Sequence, residues 1–262
     1  MALTVAMVAE WLDAFAPFQS AEAFDNVGVL LGDPAATAER VVFCVDATPD
    51  VAREAIRMQA RLIVSHHPLM FGGVDRISCA EPEGEAIALL LGNGINLIAA
   101  HTNLDRAEGG VADSLARAIS LQRLAPCGDN PFARVGDAER PMSSEAYAAF
   151  VSDALHATVR RYGAPDRPVA RVAVGPGACG DGYRAALAAG ADAFVVGEIH
   201  HHELLAACGR GLTVLEVGHY ASELPGVQAQ HDRFVRDAAS NHWQVEPLLY
   251  LRAPYPGAAR DV

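Results

Sequence analysis

Short apolar, β-branched runs alternate along the chain with longer stretches in which Ala and Leu recur at helical spacing. That alternation predicts an α/β protein built on mostly parallel sheets. The opening MALTVAMVAEWLDAF has the period of an amphipathic helix. Val41–Val45 reads as a buried strand, and Thr48-Pro49-Asp50 then starts a helix to about Ala60, with a capping threonine and a proline in its first turn. Leu62-Ile63-Val64 is the next strand and leads directly into Ser65-His66-His67-Pro68. A helix at about Glu83–Leu91 stops at Gly92-Asn93-Gly94, and the strand Asn96–Ala100 leads into His101-Thr102-Asn103-Leu104-Asp105. Gly109-Gly110 precede a helix at about Val111–Ile119.

The turn-rich stretch 125–142 predicts a junction, dividing the chain into lobes 1–125 and 126–262. Beyond it the plan repeats. Arg171–Val174 is a strand, Gly182–Ala189 a helix, and the strand Ala193–Val196 leads into Gly197-Glu198-Ile199-His200-His201-His202. The strand Thr213–Val217 leads into Gly218-His219-Tyr220-Ala221-Ser222-Glu223, and a helix at about Pro225–Ala239 and a strand at Val245–Leu251 follow. Each lobe thus carries a strand ending in adjacent histidines and a later one ending in His-x-x-x-carboxylate. This predicts related lobes with ligands at the carboxyl ends of strands, where open α/β sheets bind.

Taken singly, these signals are weak. An isolated His-His pair is as readily one surface ring and one packed ring, Asp105 a turn residue, and His219 with Glu223 two neighbours on a helix face. Together, several histidine-bearing strand ends, two followed by a carboxylate, point to metal binding where the lobes meet. Imidazole and carboxylate without thiolate suit Zn, Mn, Fe, Co or Ni. Pro68 favours an extended His67, and past the strand end the two adjacent rings can diverge to serve two ions. Two ions bridged by a carboxylate lie about 3.5–4 Å apart and hold a water that ionises near neutral pH, a nucleophile for hydrolysis. His101 is a further candidate ligand, or a residue holding Asp105. His201 and His202, with His200, are candidates for proton transfer or for supporting the site, and equally for an exposed helix start.

Composition narrows the chemistry. All 20 basic residues are arginine, so Schiff-base and P-loop lysines are absent. The five cysteines are scattered without a C-x-x-C, which argues against a thiolate zinc site and fits a reducing cytoplasm. A net charge of −12 disfavours nucleic acid as a partner, and no apolar run reaches a membrane span. Gly175-Pro176-Gly177-Ala178-Cys179-Gly180 matches the dinucleotide fingerprint G-x-G-x-x-G. The strand that would supply the ribose-binding acid, Glu198, runs straight into the histidines, so the loop reads as a tight turn or a phosphate-holding helix start rather than an NAD site.

The segments Asp25-Asn26-Val27-Gly28, Ser65-His66-His67-Pro68-Leu69, Ala100–Asp105 with Gly109-Gly110-Val111, Gly197–His202 and Gly218–Val227 together resemble the YbgI-like family of GTP cyclohydrolase I type 2 homologs. The resemblance spans nearly the whole chain. It implies two divalent ions, zinc among the candidates, on His66, His67, Asp105, His219 and Glu223, with Glu223 shared, in a homohexamer that acts on a small-molecule substrate. His200 departs from the family, which usually carries a serine-type residue there. The expected activity is a dinuclear metal-dependent hydrolase of a nucleotide-like molecule, with Asp25 and Asn26 binding substrate, supporting the ligands or forming a turn. The rival expectation is a non-catalytic metal-binding or regulatory scaffold.

Overall fold

The computed structural model describes residues 2–72 and 74–254. Along the chain come α1 (Val5–Phe15), β1 (Gly28–Leu31), β2 (Arg40–Cys44), α2 (Pro49–Arg57), β3 (Leu62–Ser65), α3 (Pro82–Gly92), β4 (Asn96–Ala99) and α4 (Thr102–Arg106). There follow α5 (Val111–Ala118), β5 (Gln122–Cys127), β6 (Asn130–Ser143), α6 (Ser144–Leu155), β7 (Arg160–Tyr162), β8 (Pro168–Gly175) and α7 (Tyr183–Ala188). The last elements are β9 (Ala193–Val196), α8 (His201–Gly209), β10 (Thr213–Glu216), α9 (His219–Ser240) and β11 (Glu246–Leu249). The described residues form two compact units. One takes the chain up to Glu108 and again from Val227; the other is Gly109–Gly226.

In the first unit the strand order is β1-β4-β3-β2-β11, parallel throughout except for β1 on the edge beside β4. Strands β2, β3 and β4 are short and almost wholly buried, as a parallel sheet covered on both faces requires. Successive side chains face opposite ways. Val42 and Cys44 pack with Val51 and Ala55 of α2 and Leu90 of α3. Phe43 instead meets Phe234 of α9 at 5.2 Å between ring centroids, and Phe234 meets Trp11 of α1 at 4.9 Å. Burial of Phe43 and Phe234 stabilises the fold by about 2–3 kcal/mol each. The Trp11 indole N–H donates to Asp237 at 2.9 Å, satisfying the one polar atom of that ring.

The second unit has the order β5-β6-β8-β9-β10-β7, with a parallel β8-β9-β10 centre and antiparallel flanks. Val172 and Val174 pack with Leu115 of α5 and with Tyr147 and Val151 of α6, whereas Ala173 faces Tyr183, Ala186 and Ala207. Four strands repeat one topology across the units. An antiparallel strand (β1, β7) precedes three parallel strands and pairs with the third of them (β4, β10). The expected relatedness of the lobes is visible in this shared order, and the sheets differ only in what flanks the first parallel strand.

Three expectations change. The division at 125/126 moves, because β11 pairs in parallel with β2 from Glu246↔Arg40 to Leu249↔Phe43, and α5 packs on the second sheet. Strand pairing recruits an edge regardless of distance along the chain. The stretch 125–142 is not a junction but mostly the hairpin β5-β6, with Gly128-Asp129 as its two-residue turn between the paired Cys127 and Asn130. Helix α9 starts at His219, not near Pro225, and carries that proline inside it. Pro225 forfeits one amide bond. Gly226 lets the helix approach closely, since a Cβ there would lie 2.8 Å from Val111 Cγ2. No helix among the described residues is long and apolar enough to cross a membrane.

Candidate functional site

Three adjacent parallel strands of the first unit end in polar side chains. Asp46 follows β2, His66 and His67 follow β3, and His101 follows β4. The register Cys44↔Ser65↔Ala99 brings these ends level. The hydrogen-bond ladder continues beyond the strands: the amides of His66 and His67 donate to Cys44 and Val45 carbonyls at 3.0 and 2.9 Å, and that of Ala100 to Ser65 at 3.0 Å. The backbone of the histidine pair is therefore fixed by the sheet.

Each ring is oriented through Nδ1. His66 Nδ1 lies 2.9 Å from the Ala100 carbonyl, His67 Nδ1 2.8 Å from Asp46 Oδ1, and His101 Nδ1 2.9 Å from Asp25 Oδ1. Carbonyl and carboxylate oxygens accept, so Nδ1 donates in every case and the neutral ring directs its Nε2 lone pair elsewhere. This is the arrangement that second partners impose on metal-binding histidines. One nitrogen from each of His66, His67 and His101 falls within 4.8 Å of the others. Asp105, on α4, places Oδ1 3.5 Å from His66 Nε2. Two ligands about 2.1 Å from one ion stand about 3–3.5 Å apart, so the pair fits a shared cation. The Asp105 amide donates to the His101 carbonyl at 3.0 Å in the first turn of α4.

Asp25 is a supporting residue. Its covered carboxylate accepts from His101 Nδ1, from the Thr102 amide at 3.0 Å and from Thr102 Oγ1 at 2.5 Å. Burial alone would raise its pKa, but the hydrogen bonds from His101 and Thr102, with the electrostatic attraction of the His101 ring, outweigh it and hold the carboxyl well below its ordinary range. Asn26 donates its side-chain N–H to the Met70 carbonyl at 2.8 Å.

In the second unit His219 and Glu223 stand one turn apart on α9, with His219 Nε2 3.1 Å from Glu223 Oε1. The glycine loop after β8 holds them. Gly177 has φ +60°, and a Cβ there would fall 2.4 Å from Glu223 Oε1 and 3.3 Å from His219 Nε2. Its amide donates to Ser222 Oγ at 2.9 Å, and Ser222 Oγ donates to the His219 carbonyl at 2.6 Å. Gly197 is needed for the same closeness, since its Cβ would lie 2.4 Å from the Gly177 carbonyl. The G-x-G-x-x-G run is thus the packing surface of the His219–Glu223 pair, and the Gly177 amide is committed to Ser222 rather than to a phosphate. Glu198, the would-be ribose acid, lies with Oε2 3.5 Å from His219 Nδ1.

His200, His201 and His202 are exposed at the start of α8. The rings of His200 and His202 stack at 5.8 Å and 9°, and the His200 amide donates to Glu203 at 3.1 Å. Sequence reasoning missed Asp46 and Ser222. Asp46 was findable, because it follows β2 as His66 follows β3; Ser222 carries no signal apart from the glycine it meets.

The Duf34/NIF3 (NGG1p interacting factor 3) family profile matches residues 3–254 of the chain. A Streptomyces coelicolor relative named GTP cyclohydrolase 1 type 2 homolog is 34% identical over 226 residues, 82% of this chain and 79% of the relative. The crystal structure of Staphylococcus aureus hypothetical protein SA1388 matches with a TM-score of 0.92 at 25% identity, covering 98% of this chain and 100% of that one. Protein ybgI, a structure of unknown function, shares the fold with a TM-score of 0.86 at 21% identity, over 97% of this chain and 100% of that one.

Proposed function

The chain belongs to the Duf34/NIF3 family, and from that premise and its donor geometry we propose a metal-dependent hydrolase of a nucleotide-like small molecule, with two divalent ions on His66, His67, Asp105, His219 and Glu223. The observation that carries it is that His66, His67 and His101 each have Nδ1 pinned to an oxygen acceptor, so that the ring nitrogens suited to a cation are set in advance. His101 is then a further ligand or a support for Asp105. Divalent ions so bound supply an ionised water near neutral pH and stabilise developing negative charge. Asp46 and Asp25 hold the rings, and Gly177 and Ser222 hold Glu223 and the start of α9. The relatives' name suggests GTP as the first substrate to try. The family resemblance further suggests a cytoplasmic homohexamer, which a monomer in size-exclusion chromatography with light scattering would overturn.

The test is metal per chain by elemental analysis of untagged protein, with His66→Ala and Glu223→Ala alongside. Two ions, lost together in either variant along with nucleotide hydrolysis, is the expected result. Ions lost independently would mean two separate sites. Two ions with no hydrolysis of any nucleotide by the metal-loaded protein would make the chain a metal-binding scaffold.

A further inference from the structure

Two phenylalanines of the first unit lie open to solvent while others are core residues. Phe43 and Phe234 are fully buried, but Phe24 is 64% and Phe71 61% exposed. They are not scattered. Their ring centroids are 6.1 Å apart at 66°, and Phe71 meets the His101 ring at 5.9 Å and 79°. His101 in turn lies 5.2 Å from His66 and 5.4 Å from His67. A continuous series of rings therefore runs from the exposed pair into the histidine cluster.

The placement is built in. Phe24 directly precedes Asp25, whose carboxylate is held by His101 and Thr102, and Phe71 directly follows Met70, whose carbonyl accepts from Asn26. The bond that orients His101 thus adjoins Phe24, and the bond of the next residue, Asn26, to Met70 brings Phe71 beside it. Leaving two large rings in water forfeits the stabilisation that burial gives elsewhere, so their maintained exposure calls for an occupant. Two rings make too small a patch for a stable protein interface, and Phe71 adjoins the imidazole of His101.

We propose that Phe24 and Phe71 form a stacking platform for a planar heteroaromatic ring, the base of a nucleoside-like substrate, beside the histidine cluster. The inference rests on the reading of that cluster as a small-molecule site and adds the part of the substrate that the metal ligands do not recognise. Stacking tolerates any planar ring, so the platform selects for a base without selecting strongly among bases.

The experiment is calorimetric binding of guanosine, adenosine and ribose 5-phosphate to the metal-loaded full chain and to Phe24→Ala, Phe71→Ala and Phe71→Trp. Both alanine variants should weaken the two nucleosides by roughly 5- to 100-fold and leave ribose 5-phosphate unchanged, and tryptophan should retain nucleoside binding. Metal per chain and oligomeric size should not move. Undiminished nucleoside binding in the alanine variants, or no nucleoside binding by the wild type, would overturn the platform. So would a change in oligomeric size, which would make the pair a contact between copies of the chain. Selective loss of nucleosides with no hydrolysis by the wild type would keep the platform and remove the hydrolase. Hydrolysis with unaltered nucleotide KM in the variants would do the reverse.

Discussion

The segment after β4 and the segment after β10 stand at the same place in two sheets of shared strand order, and both carry His-x-x-x-carboxylate. They are held by different physics. After β4, His101 turns to Asp25, 76 positions earlier, and Asp105 turns to His66 on the neighbouring strand. After β10, His219 and Glu223 face each other along the first turn of α9, and the missing side chain of Gly177 makes room for them. In the first cluster His67 and His101 donate to carboxylates and His66 to a backbone carbonyl, whereas the second is set by close backbone packing. Spacing of four puts two residues on one helix face, but the neighbouring elements decide which partner each one takes.

The sharpest way to break this contrast is to fill the space at Gly177. Gly177→Val adds a β-branched side chain at a left-handed φ and overlaps Glu223, so it should destabilise by about 2–5 kcal/mol in urea unfolding. A stability unchanged from wild type would mean that Glu223 moves aside freely. Asp25→Ala removes the acceptor of four hydrogen bonds in the first unit, from the Asn26 amide, His101 Nδ1, the Thr102 amide and Thr102 Oγ1, and should cost about 2–3 kcal/mol. If it costs less than Gly177→Val by the same assay, packing is the stiffer of the two devices.

Asp25 also predicts an acid limb. Its folded pKa lies below the ordinary 3.8. Its contribution is therefore complete above the unfolded value and is lost as the pH falls through the folded one. The stability difference between wild type and Asp25→Asn should be constant from about pH 7 to 5 and shrink below about pH 4. A difference that stays constant into acid would deny the hydrogen-bonded carboxylate its role.

Asp46→Asn leaves the ring of His67 in place but weakens its acceptor, and should reduce metal affinity about 10- to 100-fold in chelator competition with little change in Tm. Ser222→Ala, which loses its bonds to Gly177 and His219, should have the smallest effect, about 1 kcal/mol. An Asp46→Asn affinity equal to wild type would leave the first cluster with no more need of its acids than the second.

The sequence by itself determined the alternation of strands and helices, a mostly parallel sheet that holds in the first unit but only for β8-β9-β10 in the second, and the histidines at the carboxyl ends of parallel strands. These follow from local periodicity and from residue type at a strand end, which a short window contains. It could not assign β11 to the first sheet, recognise the β5-β6 hairpin in a turn-rich stretch, or start α9 six residues before a proline. Nor could it show that Asp46 and Asp25 hold histidines 21 and 76 positions away, that Gly177 serves Glu223, or that Phe24 and Phe71 stay in water beside His101. Those depend on where the chain returns. A hydrogen bond or a missing Cβ has meaning only against the atoms that folding brings within a few ångströms of it.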